Sequence, residues 1–192
     1  MENGPALLEI LKASGKQWLV VHGHQHLPNL SYFEGGATAP IVFSAGSVAA
    51  PTTVVRAKRP RNQLYCIEFE SAKTEGIELC GRVRALDWFP HIGWQRAHKD
   101  SGLPHSCGFG HRGSLATLAG QVLLHVQNAM SGQTRWPQIV TAIPDISYLI
   151  PEDIYALVDL LESQGALVDF DRCGMPSLVG MRRIQNAQSV SI

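Results

Sequence analysis

"WLVVHGHQHLPN", Trp18 to Asn29, places His22, His24 and His26 at alternate positions directly behind an apolar run. Alternation is the strand period, so three imidazoles can leave the same side of a strand end. Neutral imidazole is a common ligand for Zn, Mn, Fe and Ni, and two rings spaced by one residue can serve one ion or two adjacent ions. A surface strand end whose histidines make ordinary hydrogen bonds is the plainer reading of an isolated H-x-H. Gly23 reads as a position needing a backbone conformation or a close approach that a side chain would obstruct. The flanking sequence has to weigh these readings.

Upstream, Pro5 to Ser14 predicts a short helix, with proline near its first turn, Leu7, Leu8, Ile10 and Leu11 apolar, and Gly15 as its stop. Trp18 to Val21 predicts a buried strand ending at the histidines. Downstream, "APIVFSAGSV" (Ala39 to Val48) predicts a second strand running into a small-residue turn, and "RAKRPRN" a polar loop. "QLYCIEFE" (Gln63 to Glu70) and "GIELCGRVRALDW" (Gly76 to Trp88) predict a hairpin across "SAKTEG".

Helix, glycine, apolar strand, G-H-x-H and a second strand ending in "SAGS" together resemble the closing segment of calcineurin-like metallophosphoesterases. "GHQH" is similar to that family's last metal motif, "FSAGSVAAP" to the segment that follows it, and "YCIEFESAKTEGIELCGRVRALDW" to its terminal strand pair. The resemblance covers residues 1 to about 96. It implies that His24 binds one ion of a divalent metal pair (Mn, Fe, Zn or Ni) and His26 the other. His22 and Gly23 are then outer-shell or structural. In that family the paired ions hold a phosphate and generate the hydroxide that attacks it.

The family's other ligands come from D-x-H, G-D-x-x-D and G-N-H motifs, and none of these occurs in the sequence. Ions of this type want about four to six ligands each, more than two imidazoles supply. The resemblance therefore implies the C-terminal part of a metallophosphoesterase, from a late start codon, a truncated gene or a split enzyme, inactive alone and completed by an upstream half. Metallo-β-lactamase-like hydrolases fit worse, because Leu27 and Pro28 stand where H-x-H-x-D-H needs Asp and His. A (β/α)8 amidohydrolase barrel is too large for 192 residues carrying this tail.

The composition shifts at His98. "HKDSGLPHSCGFGHRGS" is rich in glycine and serine and reads as a linker. Helices are expected over Leu115–Met130, Trp136–Ile143 and Pro151–Gln164, followed by two β stretches, "ALVDFD" and "SLVGMRR", split by "RCGMP". Three helices and a hairpin resemble a winged helix-turn-helix. The expected fold class is thus α/β (α+β): a partial metallophosphoesterase β-sandwich over residues 1–96, a linker over 97–112, a small winged-helix-like α+β domain over 113–185 and a flexible tail over 186–192.

The third helix carries Glu152, Asp153, Asp159 and Glu162 and no Lys or Arg, so phosphate repulsion opposes its entry into a major groove. A protein partner, or self-association through the tail, is favoured over a DNA-binding regulator, although Arg172, Arg182 and Arg183 could touch a nucleic-acid backbone. Arg56 and Arg59, in the basic loop with Lys58 and Arg61, are candidate phosphate contacts, with a solvated loop as the default. His98, His105, Cys107 and His111 are close in sequence but lack the paired spacing of a zinc site. Trp88, Phe89 and Trp94 are expected to anchor a strand on its core.

Composition bounds the classes. Apolar content of 45%, with 17% charged residues, is globular. Sixteen basic against sixteen acidic residues give zero formal net charge, and so no global field for nucleic acid or an anionic bilayer. The apolar runs are far below membrane-spanning length and the start lacks a signal-peptide pattern. The four cysteines, without C-x-x-C, suit reduced thiols, and a cytoplasmic protein without membrane contact is expected.

Overall fold

A computed structural model describes residues 4–23, 27–34, 39–49, 62–70 and 79–181. Helix α1 (Gly4–Ala13) leads into a three-stranded sheet of β1 (Leu19–His22), β2 (Asn29–Tyr32) and β3 (Ile41–Ser44). The order is β1-β3-β2, with β1 parallel and β2 antiparallel to β3. Strand β3 alternates buried Ile41 and Phe43 with half-buried Val42 and Ser44, the pattern of a strand with one face in a core.

A second, antiparallel sheet is built on β5 (Cys80–Phe89). Strand β4 (Gln63–Glu70) pairs along one side; β6 (Gly93–Arg96) and β7 (Ser106–Phe109) pair in succession along the other. Val83, Ala85 and Asp87 of β5 point inward. The two sheets meet where the Phe43 ring packs edge-on against Tyr65, with centroids 5.0 Å apart.

The remaining elements are α2 (Leu115–Gln127), β8 (Gln133–Arg135), α3 (Trp136–Ala142), α4 (Pro151–Ser163), β9 (Ala166–Phe170) and β10 (Pro176–Met181), with sheet order β8-β10-β9. This is a mixed α+β fold whose last part has the helix and strand order of a winged helix. The Ser114 hydroxyl accepts the Thr117 N–H and starts α2, satisfying one of the donors a helix end leaves free. Pro151 opens α4, and Gly165, at φ +89°, lets the chain turn away after it. Ile154, Leu157, Val158 and Leu161 of α4 and Leu118, Val122 and Val126 of α2 form the buried stripes expected of amphipathic helices.

Residues 97–112 differ from the expected linker. They hold a 3-10 turn (Lys99–Ser101) and strand β7, and bury Ala97, Leu103, Cys107 and Phe109. Their glycines mark close packing. A Cβ on Gly108 would lie 2.0 Å from the Ser147 carbonyl oxygen, and one on Gly110 would lie 2.5 Å from the Cys80 Cβ. One apolar cluster runs from Leu30 and Phe43 through Val83 and Phe109 to Leu157 and Val179, so the winged-helix elements share a core with the sheets. The aromatics also differ from expectation: Trp88 and Trp94 pack on each other edge-on at 5.2 Å across β5 and β6, and Trp88 is exposed.

Candidate functional site

The parallel pair places two chain segments side by side. His22 is level with Ser44, and the Ala45 N–H donates to the His22 carbonyl at 2.7 Å. The loops that follow β1 and β3, carrying the G-H-x-H and S-A-G-S sequences, therefore leave one edge of the sheet together. The carboxyl ends of parallel strands are where open α/β sheets bind ligands. His22 is half-buried and Gly23 exposed. His24 and His26, and also Arg56 and Arg59, lie outside the described residues.

Among the described residues, a Cβ on Gly23 would meet nothing within 4 Å. The close approaches lie further along. A Cβ on Gly46, in the S-A-G-S segment, would be 2.7 Å from Pro28 Cγ and 2.7 Å from the Tyr65 hydroxyl. A Cβ on Gly102 would also be 2.7 Å from Pro28 Cγ. Pro28, two residues beyond His26, thus sits in a slot between two glycines. Its fixed φ and the tight slot hold the end of the histidine loop.

A buried polar chain supports the slot. The Gly46 N–H donates to the Tyr65 hydroxyl at 2.9 Å, and that hydroxyl donates to Gln63 Oε1 at 2.9 Å. Gln63 Nε2 donates to Asp87 Oδ1 at 2.8 Å and to the Leu103 carbonyl at 3.2 Å. Asp87 Oδ2 accepts the His98 N–H at 3.1 Å. Gln63 and Asp87 are fully buried. Burial pushes the Tyr65 phenol up to about 12, so it stays neutral and can donate and accept at once. Sequence reasoning missed this chain, although a glutamine and an aspartate at inward positions of two strands were a usable signal.

Among the described residues no three His, Cys, Asp or Glu side chains come together to hold a metal ion. The four residues of the 98–111 segment serve separate contacts. His98 Nδ1 accepts the Asp100 N–H, His105 Nδ1 faces the Ala85 carbonyl, and burial pushes the Cys107 thiol up to about 12. His111 is buried, and neither ring nitrogen has a hydrogen-bond partner among the described residues.

Helix α4, the element that enters the major groove in DNA-binding winged helices, packs here against β2. The Tyr32 hydroxyl donates to the His111 carbonyl at 2.9 Å and accepts the Gly110 N–H at 3.0 Å. The Arg112 guanidinium lies 4.0 Å over the Tyr32 ring and donates to the Ala39 carbonyl. Asp153, in the first turn of α4, has its carboxyl raised above the usual range by burial and by Glu152, with His111 and Arg112 opposing. The wing is engaged as well. The Lys99 N–H donates to the Cys173 carbonyl, and the Lys99 ammonium lies over the rings of Tyr155 and Phe170. Arg172 is exposed, while Arg182 and Arg183 lie outside the described residues.

No helix among the described residues is long and apolar enough to cross a membrane. Neither the curated proteins nor the solved structures gave a match to the chain. Residues 107–163, from β7 through α4, match the family model wHTH-Calcineurin_assc, a winged-helix domain associated with calcineurin-like proteins.

Proposed function

We propose that the chain is the C-terminal part of a metal-dependent phosphoesterase. In this reading His24 and His26 contribute imidazoles to a divalent metal pair, and a polypeptide segment outside this sequence supplies the D-x-H, G-D-x-x-D and G-N-H ligands. The metal pair, when bound, supplies the nucleophile and the charge that hydrolysis of a phosphomonoester or diester needs. This chain's own residues carry the loop: Pro28 between Gly46 and Gly102 fixes its end, and the Tyr65–Gln63–Asp87 chain holds the neighbouring S-A-G-S turn. Arg56 and Arg59 are the candidate contacts to a phosphate.

The observation that carries the reading is the parallel register of His22 with Ser44, which sends the two motif-bearing loops out of one sheet edge. The calcineurin-associated winged helix on the same chain supports it. So does the open side of the first sheet. Among the described residues β1 pairs only with β3, and α1 buries no residue, with Leu7 and Ile10 facing solvent. Parallel strands ordinarily lie inside larger covered sheets.

The test is turnover of a generic phosphodiester with added Mn²⁺, by the chain alone and with an upstream segment carrying the missing motifs. The expected result is activity only in the combination, lost in His24→Ala and His26→Ala. Full activity of the chain alone would overturn the missing-ligand argument, and no activity in the combination would remove the assignment.

The docked state of α4 favours a second reading, a non-catalytic module that engages protein, by itself or another chain, through its winged-helix tail. Deletion of residues 113–192 that leaves partner binding unchanged would exclude it. A DNA-binding regulator is the least supported, because α4 is acidic and its first turn packs on β2.

A further inference from the structure

A cavity of about 310 Å³ lies where β5 and β7 face α3, α4 and the wing turn. Its walls come from both parts of the molecule. Trp136, Pro137 and Val140 of α3 and Ile154 of α4 form an apolar side. Five polar residues line it as well: Arg82, His105, Ser106, Ser147 and Asp171, of which Ser147 already donates its hydroxyl to the Pro144 carbonyl.

The Arg82 charge is paired within the protein, and the Asp171 carboxylate is held by backbone N–H groups. Arg82 uses Nε and Nη2 on Glu70 Oε1, leaving Nη1 as an uncharged-pair donor edge. Asp171 Oδ1 accepts the N–H groups of Cys173 and Met175, leaving Oδ2. His105 Nδ1 faces the Ala85 carbonyl at 3.3 Å; in the tautomer that donates to this carbonyl, Nε2 is left as an acceptor. The cavity therefore offers donors (Arg82 Nη1, the Ser106 hydroxyl) beside acceptors (His105 Nε2, Asp171 Oδ2) against an aromatic and aliphatic wall. An anion would meet the Asp171 carboxylate beside a guanidinium already paired with Glu70. A purely apolar ligand would leave the free polar edges of Arg82, His105, Ser106 and Asp171 without partners, at a cost. A flat neutral ring carrying an acceptor nitrogen next to an amino group satisfies both sides, and the volume suits a single such ring system.

We propose that this cavity binds an aminated nitrogen heteroaromatic of nucleobase size, held by Arg82, His105, Ser106 and Asp171 against Trp136. The site uses none of the residues assigned to the metal pair and stands whether or not the phosphoesterase reading does. Because its walls belong to the sheet and to α3 and α4 together, an occupant ties the two parts to each other.

The experiment is ligand-observed NMR and thermal unfolding of the full chain with adenine as the probe, and with benzoate and toluene as the anionic and apolar comparators. Binding of adenine in the millimolar range or tighter, with a rise in Tm, is expected, and the comparators are expected to bind at least tenfold more weakly. Val140→Trp, which fills the cavity, should abolish adenine binding. His105→Phe, which keeps the ring shape and removes the acceptor, should weaken it at least tenfold; it also serves if Val140→Trp does not fold. No adenine binding, equal binding of a comparator, or binding unchanged in a folded variant would overturn the assignment.

Discussion

Tyr148, in the 3-10 turn (Pro144–Tyr148) before α4, donates its hydroxyl to Glu70 Oε2 at 2.7 Å, and Arg82 grips the other oxygen of the same carboxylate. This three-residue contact joins the last residue of β4 to the winged helix. With Tyr32 and Arg112 beside the start of α4 and Lys99 against the wing, it makes the winged helix a packed layer of the molecule.

Removing the Tyr148 hydroxyl tests that join. Tyr148→Phe keeps the ring and deletes a hydrogen bond to a charged, half-exposed carboxylate, worth about 1 kcal/mol. A fall in Tm of about 2–4 °C is expected for a chain of this size. An unchanged Tm would show that solvent replaces the bond at no cost.

Asp87 tests the buried chain under the candidate site. It accepts from both Gln63 Nε2 and the His98 N–H with no water access, so Asp87→Ala strands buried donors and is expected to cost about 2–3 kcal/mol. Tyr65→Phe, which strands the Gly46 N–H, should cost about 1–3 kcal/mol. Because the two residues share Gln63, the double variant should lose less than the sum of the singles. Urea denaturation of the four proteins measures this, and strict additivity would show that the chain does not act as a unit.

Helix α4 was legible because Pro151 and Gly165 give it a local start and stop that physical chemistry enforces. Strand β8 was not, since Gln133–Arg135 is three residues long and has no periodicity to read. Strand β7 was hidden by its glycines. Gly108 and Gly110 read as loop residues, whereas they let β7 lie directly on Ser147 and Cys80. The close approach of Gly46 and Gly102 to Pro28 was equally hidden, because the three are distant in sequence. Close approach between segments far apart in the chain leaves no short-range pattern.

Alkaline pH gives a further prediction. Tyr65 and Tyr148 are raised from 10.0 to about 12, and Cys107 from 9.0 to about 12. Burial is the main cause for Tyr65 and Cys107; for Tyr148 it is the bond to Glu70. In all three the folded state favours the protonated form. Their contribution is complete below the ordinary values and is lost as pH rises through the folded ones. Stability should therefore fall between about pH 9 and pH 12, read as a decreasing urea midpoint. Cys107→Ala should flatten the part of that fall that begins near pH 9. A midpoint constant up to pH 11.5 would mean that these groups ionise without disturbing the fold.

Asp153 predicts a change of the same sign at acidic pH. Its carboxyl is raised above the ordinary value of 3.8, first by burial and then by Glu152, against the attraction of His111 and Arg112. A raised carboxyl is stabilised in its neutral form, so the fold loses stability as pH rises through the folded value, and at pH 7 the ionised group is a net cost. Asp153→Asn, nearly the same shape without the charge, is expected to raise Tm at pH 7 and to have little effect at pH 3, where the native carboxyl is already largely protonated. The comparison of variant and native protein at the two pH values is the measurement. A drop in Tm at pH 7 would mean that the pairing with His111 and Arg112 outweighs burial, so that the charge itself holds the first turn of α4 against β2.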